Sequence, residues 1–295
     1  MREPHRPGHL QRHRQPPGSR FHNKEFLQET QKMKNPRVCV LRTAGTNCDV
    51  ETAFAFEQAG AAAELVHINR FLQRVRMLDE YHILALPGGF SYGDDISAGK
   101  VLANELKFKL AGQVRKFIGD GKLIIGICNG FQVLVKAGLL PGNAELRQEA
   151  SLIINDSGLF RDEWVYLKPA ETKPAAQCAW TADLPPVLSL PIAHGEGKFI
   201  TADDAVLKRL KKNRQIVFQY CDSGGRLAGS PHNPNGSQDN IAGICDETGR
   251  ILGLMPHPER HIFVSQHPRW HMAGCRSVDG RQIFRNGVLY AAKHT

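Results

Sequence analysis

The segment Lys122–Gln132, KLIIGICNGFQ, most constrains how this chain can fold. Its apolar run Leu123–Ile127 has the length of a buried strand, and a helical pattern begins directly after Cys128. Gly126 and Gly130 lie two residues to either side of the cysteine, where bulky side chains would clash across a sharp bend. The segment therefore predicts a strand that turns abruptly into a helix, with Cys128 at the turn. The free N–H groups of that helix would then point towards the sulfur.

Most cysteines that end a strand are simply buried in the core. A role for Cys128 as a nucleophile therefore requires a general base elsewhere in the sequence. The apolar run Ile251–Met255 ends in Pro-His-Pro-Glu-Arg, and one residue separates His257 from Glu259, so an extended backbone projects both to the same side. A nucleophilic cysteine needs a base, and the base needs a group that orients it. We therefore predict a triad of Cys128, His257 and Glu259, although the His-Pro-Glu segment alone is also compatible with a surface turn.

Strand and helix patterns alternate from Pro36 onward, which predicts an α/β fold with a three-layer, mostly parallel sheet and helices on both faces. The region Leu152–Phe199 is rich in proline and short apolar runs, and it predicts a small antiparallel excursion. Ligands of such sheets bind at the carboxyl ends of the strands, where Cys128 and His257 both fall. The predicted strands are Val38–Leu41, Leu65–Ile68, Ile83–Leu86, Leu123–Ile127, Ile216–Tyr220, Ile241–Cys245 and Ile251–Met255. The predicted helices are Asp49–Gln58 with Asp49 as its N-cap, Phe71–Leu78, Leu102–Asp120 with a break at Gly112, and Asp203–Leu210.

The first 34 residues differ from the rest of the chain. They carry eight Arg or Lys against three Glu, more than half of the net charge of +9, with four histidines and few apolar residues. We expect residues 1–34 to be a disordered basic leader and residues 35–295 to be a single domain. A basic arm can bind nucleic acid, but no aromatic interleaving or recognition motif accompanies this charge, so a tail or an over-extended translation start is favoured.

Cysteine usage and hydropathy indicate the compartment. Seven cysteines without paired spacing favour a reducing environment over a disulfide framework. The sequence shows neither an apolar run of membrane-spanning length nor a signal-peptide core, so we expect a cytoplasmic protein that does not associate with membranes.

Five segments together carry a resemblance to a known family. These segments occur in a consistent order between Pro36 and Arg260. Through them the chain resembles class I (triad-type) glutamine amidotransferases, and more narrowly the glutaminase subunits of phosphoribosylformylglycinamidine synthase in purine biosynthesis. The strand-to-helix turn at Cys128 and the His-x-Glu pair at 257–259 are typical of the broad family. The segments PGGFSYGD at 87–94 and PIAHGEG at 191–197 are typical of the narrower one. The segments are GTNCD at 45–49, PGGFSYGD at 87–94, GICNGFQ at 126–132, PIAHGEG at 191–197 and GLMPHPER at 253–260.

The resemblance implies a flavodoxin-like fold and glutamine as substrate, hydrolysed by the triad to glutamate and ammonia. The N–H of Asn129, which follows the nucleophile, is one candidate oxyanion donor, and the resemblance places the other in the Gly89–Phe90 turn. Gln132 is a candidate substrate-binding residue. His194 is a second candidate, although it could instead face a partner or serve as a structural hydrogen-bonding group.

No P-loop pattern is present, because the glycine-rich turn lacks the required Lys-Ser/Thr. The resemblance implies no cofactor or metal for this chain. ATP and Mg²⁺ would be used by a separate synthetase subunit, which receives the ammonia and converts formylglycinamide ribonucleotide to the amidine, often together with a small third subunit. Residues 261–295 form a C-terminal extension, which we expect to face a partner or to cover the domain.

Two other functions stay open from the sequence. One is a stand-alone cysteine hydrolase of the same fold, acting on γ-glutamyl or peptide bonds. The other is a catalytically silent interaction subunit, which an intact triad disfavours.

Overall fold

The computed structural model describes residues 35–74, 77–94, 96–143, 145–170, 178–272 and 279–294. The predicted leader, residues 1–34, lies outside the described residues. From Asn35 onward the chain forms one compact unit.

A nine-stranded sheet forms the centre of this unit, and its strands lie in the order β2-β1-β3-β4-β11-β10-β9-β6-β7. The strands from β2 to β11 in that order are parallel, whereas each later neighbour pairs antiparallel. Two further strands, β5 and β8, form a separate antiparallel pair. The strands are β1 Arg37–Arg42, β2 Ala62–His67, β3 Ile83–Leu86, β4 Leu123–Ile127, β5 Ala150–Ile153, β6 Arg161–Pro169, β7 Leu188–His194, β8 Lys198–Thr201, β9 Ile216–Cys221, β10 Ile241–Cys245 and β11 Ile251–Leu254.

Helices cover the parallel strands. Every residue of β3, β4 and β11 is buried, which requires packed layers on both faces of the sheet. The helices are α1 Asp49–Gln58, α2 Ile68–Gln73, α3 Lys100–Asn104, α4 Ala111–Gly119, α5 Asn129–Lys136, α6 Asp204–Lys212 and α7 Asp279–His294. A π-helical turn at Glu105–Lys109 and short 3₁₀ turns at Met77–Glu80, Ser91–Asp94, Gln238–Asn240, Pro258–Arg260 and Val264–Gln266 complete the regular structure. None of the helices in the described ranges is long and apolar enough to cross a membrane.

The predicted α/β fold is confirmed, and the antiparallel part is larger than expected. Strands β6 and β7, predicted as part of a small excursion, extend the central sheet instead. Among the strands of the described residues, β5 and β8 alone form a separate pair. The sequence pattern could not distinguish these cases, because a short alternating strand looks the same whether it pairs with the main sheet or outside it.

The predicted helix Leu102–Asp120 is divided into α3, the π-turn and α4, and the break lies at Leu110 rather than at Gly112. The π-turn inserts one extra residue in the turn. Leu106 and Leu110 are both buried, while Phe108 between them is 73% exposed.

The C-terminal extension packs onto the domain through α7. The ring of Phe284 meets that of Phe56 in α1 edge-on, with centroids 4.9 Å apart. At the start of α7, the backbone N–H of Gly280 donates to the carbonyl oxygen of His261 at 3.1 Å. The N–H of Ser189 in β7 donates to the carboxylate of Asp279 at 2.7 Å. The described part of the extension therefore covers the domain, directly behind the segment that carries His257 and Glu259.

Candidate active site

Cys128 lies at a strained turn between β4 and α5. Its φ of 51° and ψ of −105° are unusual for a residue with a side chain. A Cβ on Gly126 would lie 2.6 Å from the carbonyl oxygen of Gly130, and a Cβ on Gly130 would lie 1.9 Å from the carbonyl oxygen of Leu86. Gly126 is therefore required by close packing across the bend, as the sequence predicted, whereas Gly130 is required by its contact with the neighbouring strand β3. The turn presents Cys128 at the start of α5.

The histidine and glutamate reach Cys128 because β11 pairs in parallel with β4. Leu254 is the register partner of Ile127, so both chains leave the sheet side by side. The N–H of His257 donates to the carbonyl oxygen of Pro191, which fixes the backbone just after β11. The Nδ1 atom of His257 lies 2.6 Å from Oε1 of Glu259, and both side chains are fully buried.

Nearby negative charge favours the protonated form of the His257 imidazole. Burial by itself lowers the pKa of His257, but the negative charge of Glu259, followed by contacts with Cys128 and Cys48, raises it well above its ordinary value. An imidazolium oriented by a buried carboxylate is the partner that a reactive thiolate needs.

A cavity of about 500 Å³ opens over these three residues. This volume suits a small ligand such as an amino acid. The lining residues come from the carboxyl ends of β1, β3, β4, β7 and β11 and from the start of β6: Asn47, Cys48, Gly89, Phe90, Asp94, Ala98, Cys128, Gln132, Phe160, Asp162, Ala193, His194, Gly195, Glu196, His257 and Arg260.

The candidate oxyanion donors differ in availability. Asn129 is the first residue of α5, so its N–H has no partner within the helix. The N–H of Phe90 donates to the carbonyl oxygen of Gly45 at 2.9 Å. Of the two amides in the predicted Gly89–Phe90 turn, the Phe90 amide is therefore already engaged. The Phe90 side chain instead lines the cavity and is half-exposed.

Gln132 and His194 line the cavity and also hold its wall together. The amide of Gln132 donates to the carbonyl oxygen of Glu196 at 2.6 Å and accepts from Asn129 at 3.0 Å. The ring of His194 lies 3.2 Å from the amide oxygen of Asn155, while its Nε2 is buried without a hydrogen-bond partner among the described residues. Burial, and then the charge of His257, lowers the pKa of His194 to about 4, so its ring is neutral near pH 7.

Gly88, Cys48 and Arg260 lie beside the predicted triad. A Cβ on Gly88 would lie 2.8 Å from Cε1 of His257, 3.1 Å from Sγ of Cys48 and 3.5 Å from Cβ of Cys128. Glycine at position 88 therefore lets these side chains converge. Arg260 donates from Nη2 to the Cys48 sulfur at 3.2 Å. Cys48 follows β1, so its place at the carboxyl edge of the parallel sheet was the available sequence signal.

A group of metal-ligand types lies beside the triad. One ligand atom from each of Cys48, Glu51, His257 and Glu259 falls within 4.8 Å of the others. The guanidinium of Arg260 lies among them, because its Nε donates to Glu51 at 2.9 Å while its Nη2 contacts Cys48. A metal ion would meet this fixed positive charge, so the group does not fit a divalent cation.

Comparisons with known proteins agree with one another. The family model of the CobB/CobQ-like glutamine amidotransferase domain matches residues 35–291. The phosphoribosylformylglycinamidine synthase subunit PurQ of Dehalococcoides mccartyi is 46% identical over 88% of this chain and 99% of its own length. The same subunit of Archaeoglobus fulgidus is 43% identical over 87% of this chain and 97% of its own length. A chain in the structure of PurLQS from Thermotoga maritima, 32% identical, superposes with a TM-score of 0.64 over 87% of this chain and 99% of its own.

Proposed function

The chain belongs to the CobB/CobQ-like glutamine amidotransferase family, and from that membership we propose that it is the glutaminase subunit of phosphoribosylformylglycinamidine synthase. Two relatives named as this subunit match this chain over nearly their whole length. The observation that carries the proposal is the buried pair of His257 and Glu259, 2.6 Å apart, whose imidazole lines the same cavity as Cys128.

Cys128 is the nucleophile of the proposed reaction. Its thiolate attacks the side-chain amide carbon of glutamine, and the amide oxygen becomes an oxyanion. The N–H groups of Asn129 and Gly89 stabilise that charge, each contributing on the order of 3 kcal/mol. The imidazolium of His257 then protonates the departing nitrogen, so ammonia leaves and a γ-glutamyl thioester stays on Cys128.

His257 also completes the cycle. Having lost its proton to ammonia, the neutral imidazole takes a proton from water, and the resulting hydroxide attacks the thioester carbon. The carbon–sulfur bond breaks, glutamate leaves, and the thiolate–imidazolium pair forms again. Glu259 holds the imidazole in orientation throughout and stabilises its positive charge.

The ammonia is used on another chain. Because this sequence carries no P-loop pattern, we assign the ATP- and Mg²⁺-dependent amidation of formylglycinamide ribonucleotide to a separate synthetase subunit, with a small third subunit in the same complex. The similarity to a chain of the structure named PurLQS supports an assembly of this kind.

We place the complex in the cytoplasm. Cys39, Cys48, Cys128, Cys178, Cys221 and Cys245 are all free thiols in the described part of the chain, and a thiolate nucleophile needs a reducing environment.

Reconstitution with a synthetase subunit tests the proposal. The full chain alone should hydrolyse glutamine slowly, and the rate should rise when the synthetase, formylglycinamide ribonucleotide and ATP are present. Cys128→Ala should abolish glutamine-dependent amidation and leave ammonia-dependent amidation intact, which separates loss of chemistry from loss of the complex. Cys221→Ala, a buried cysteine in β9, is the matched control and should behave like the wild type.

Two results would contradict the proposal. Full glutamine-dependent amidation by Cys128→Ala would exclude the triad. Glutamine hydrolysis that neither rises with the synthetase nor yields the amidine would favour the stand-alone hydrolase of the same fold.

A further inference from the structure

The side chain of Asn129 has no part in the reaction proposed above, which uses only the backbone N–H of this residue. The side chain is nevertheless buried at the start of α5, directly after the nucleophile, and the residue is only 2% exposed. A buried amide is costly unless its donors and its acceptor are hydrogen-bonded. The contacts of this amide therefore show which parts of the site the side chain holds together.

The Asn129 amide bonds to two separate elements. Its oxygen accepts from the backbone N–H of Ser91 at 3.3 Å. Its Nδ2 donates to Oδ1 of Asp94 at 3.1 Å and to Oε1 of Gln132 at 3.0 Å. Ser91 and Asp94 are the two ends of the 3₁₀ turn that follows Gly89, whereas Gln132 lies further along α5. One buried side chain thus joins the turn after β3 to the start of α5.

The two elements that Asn129 joins carry the two proposed oxyanion donors. One donor is the N–H of Gly89, two residues before Ser91, and the other is the N–H of Asn129 itself. On the side away from α5, the turn is bonded to the loop after β1, because the N–H of Phe90 donates to the carbonyl oxygen of Gly45 at 2.9 Å. The Asn129 side chain supplies hydrogen bonds on the side that faces α5.

We propose that Asn129 is a positioning residue for glutamine hydrolysis: its side chain fixes the spacing between the backbone amides of Gly89 and Asn129 that receive the oxyanion. This inference rests on the function proposed above and deepens it. Oxyanion donors are effective when they lie about 3 Å from the developing charge. Without the side chain the turn can move away from α5, and a displacement of about 1 Å is enough to lower a rate about 100-fold.

The first test is glutamine hydrolysis by Asn129→Ala, measured with the full chain and the synthetase subunit present. This substitution removes the side chain and keeps the backbone N–H. We expect kcat to fall about 10- to 100-fold, because the two donors lose their fixed spacing. KM should change less than about threefold, because Gln132 in the cavity wall is still held by the carbonyl oxygen of Glu196 at 2.6 Å.

Alkylation of Cys128 distinguishes a change in donor spacing from a general loss of structure. Iodoacetamide reacts when the thiolate sulfur displaces iodide, and no oxyanion forms in that step. The rate of labelling at Cys128, located by mass spectrometry, should therefore stay within about twofold of the wild-type rate in Asn129→Ala. A collapsed turn at the nucleophile would instead slow glutamine hydrolysis and labelling together.

Two variants that preserve the shape of the side chain test the link itself, and they decide the matter if Asn129→Ala does not fold. Asn129→Asp places a second carboxylate beside Asp94, so the hydrogen bond becomes a repulsion between like charges and kcat should fall. The double variant Asn129→Asp/Asp94→Asn restores a hydrogen bond with donor and acceptor exchanged. Its kcat should be at least about fivefold higher than that of Asn129→Asp alone.

Asn286→Ala is the matched control. Asn286 is a similarly buried amide in α7, and its Nδ2 donates to the carbonyl oxygens of Trp180 at 3.0 Å and of Ala182 at 2.7 Å. Its loss should lower the stability of the protein, measured by urea denaturation, because two buried carbonyl oxygens lose a donor. It should leave kcat for glutamine unchanged, because neither carbonyl belongs to the cavity.

Three results would overturn the positioning role. They are a wild-type kcat in Asn129→Ala, a parallel fall of kcat and of Cys128 labelling in that variant, and a double variant no more active than Asn129→Asp. Failure of the wild type to hydrolyse glutamine would instead overturn the proposed function, so the two failures are distinguishable.

Discussion

The two sides of the site are built in different ways. The nucleophile side, comprising β4, Cys128 and the start of α5, is one continuous segment whose shape follows from glycines next to the cysteine. The base side, comprising His257 and Glu259, contains only the short 3₁₀ turn Pro258–Arg260, and distant parts of the chain set its position. Its backbone is held by Pro191, by the start of α7 and by the pairing of β11 with β4. A nucleophile can thus be specified locally, whereas its base depends on the whole domain.

The same substitution, glycine to alanine, can be made on both sides of the site, because each side has a glycine that packs against the carbonyl oxygen of a residue far away in the sequence. A Cβ on Gly130 would lie 1.9 Å from the Leu86 oxygen, and a Cβ on Gly280 would lie 1.9 Å from the Pro258 oxygen. We expect alanine at these two glycines to lower the unfolding free energy by different amounts, because the nucleophile side is packed into the core whereas the base side lies on a short turn.

Gly130→Ala should have the largest effect. Leu86 ends the fully buried strand β3, so the clash cannot be relieved without separating α5 from the sheet. We expect a loss of more than about 4 kcal/mol in unfolding free energy, measured by urea denaturation, or no soluble protein. Gly112→Ala, where nothing lies within 4 Å of the new methyl group, is the control and should be as stable as the wild type or slightly more so. A stable Gly130→Ala enzyme would contradict the close packing of the elbow.

Glu259→Gln should act on chemistry rather than on folding. The amide keeps the shape but removes the charge that raises the pKa of His257, so the imidazole loses its proton at lower pH. We expect kcat to fall about 100- to 1,000-fold, with the alkaline limb of the pH profile moved towards neutrality. Glu163→Gln, a surface carboxylate paired with Arg161, should leave both unchanged. An unshifted alkaline limb would show that Glu259 does not control the imidazole.

His194, in the cavity wall beside His257, should make the unfolding free energy of the protein depend on pH. Its folded pKa of about 4 lies below the ordinary value of 6.5, so the unfolded chain takes up a proton first as the pH falls. The stabilisation is fully present above about pH 6.5 and is lost towards pH 4, by on the order of 3 kcal/mol. Urea denaturation at pH 7.5 and pH 5 should show a smaller difference in His194→Gln than in wild type. The exposed His232→Gln is the control, and an equal pH dependence in all three proteins would contradict the prediction.

Gly280→Ala should have the smallest effect. The atoms nearest the new methyl group belong to Pro258 in a short 3₁₀ turn rather than to a strand of the sheet, so we expect the turn and the start of α7 to shift at a cost of about 1–2 kcal/mol. The turn that carries Glu259 shifts with it, and we expect about a tenfold loss of kcat at nearly unchanged KM. Gly119→Ala, which meets no atoms within 4 Å, is the control. A loss of stability as large as that of Gly130→Ala would remove the contrast between the two sides.

Much of the fold followed from the sequence because parallel buried strands have distinctive apolar runs. Leu123–Ile127 and Ile83–Leu86 are strands with the predicted bounds, and α1 ends at Gln58 as predicted, although its N-cap is Cys48 rather than Asp49. The break in the helix after Leu102 was predicted at Gly112, but its position at Leu110 and the π-turn before it were not, because no local pattern marks the extra residue of a π-turn. The pairing of β6 and β7 with the central sheet was not predicted either, because the residue pattern of a short strand does not show which other strand it will pair with.

The sequence by itself determined the nucleophile elbow, because glycines flank Cys128 and a side chain on Gly126 would meet the carbonyl oxygen of Gly130 across the bend. Only the tertiary structure decided what surrounds the elbow. The parallel pairing of β11 with β4 brings His257 to Cys128, and the loop after β1 adds Cys48. Strand order depends on packing over the whole chain, and no local pattern encodes it. The sequence could therefore nominate His257 and Glu259 as the base and its orienting group, but only the folded structure shows where they lie relative to Cys128.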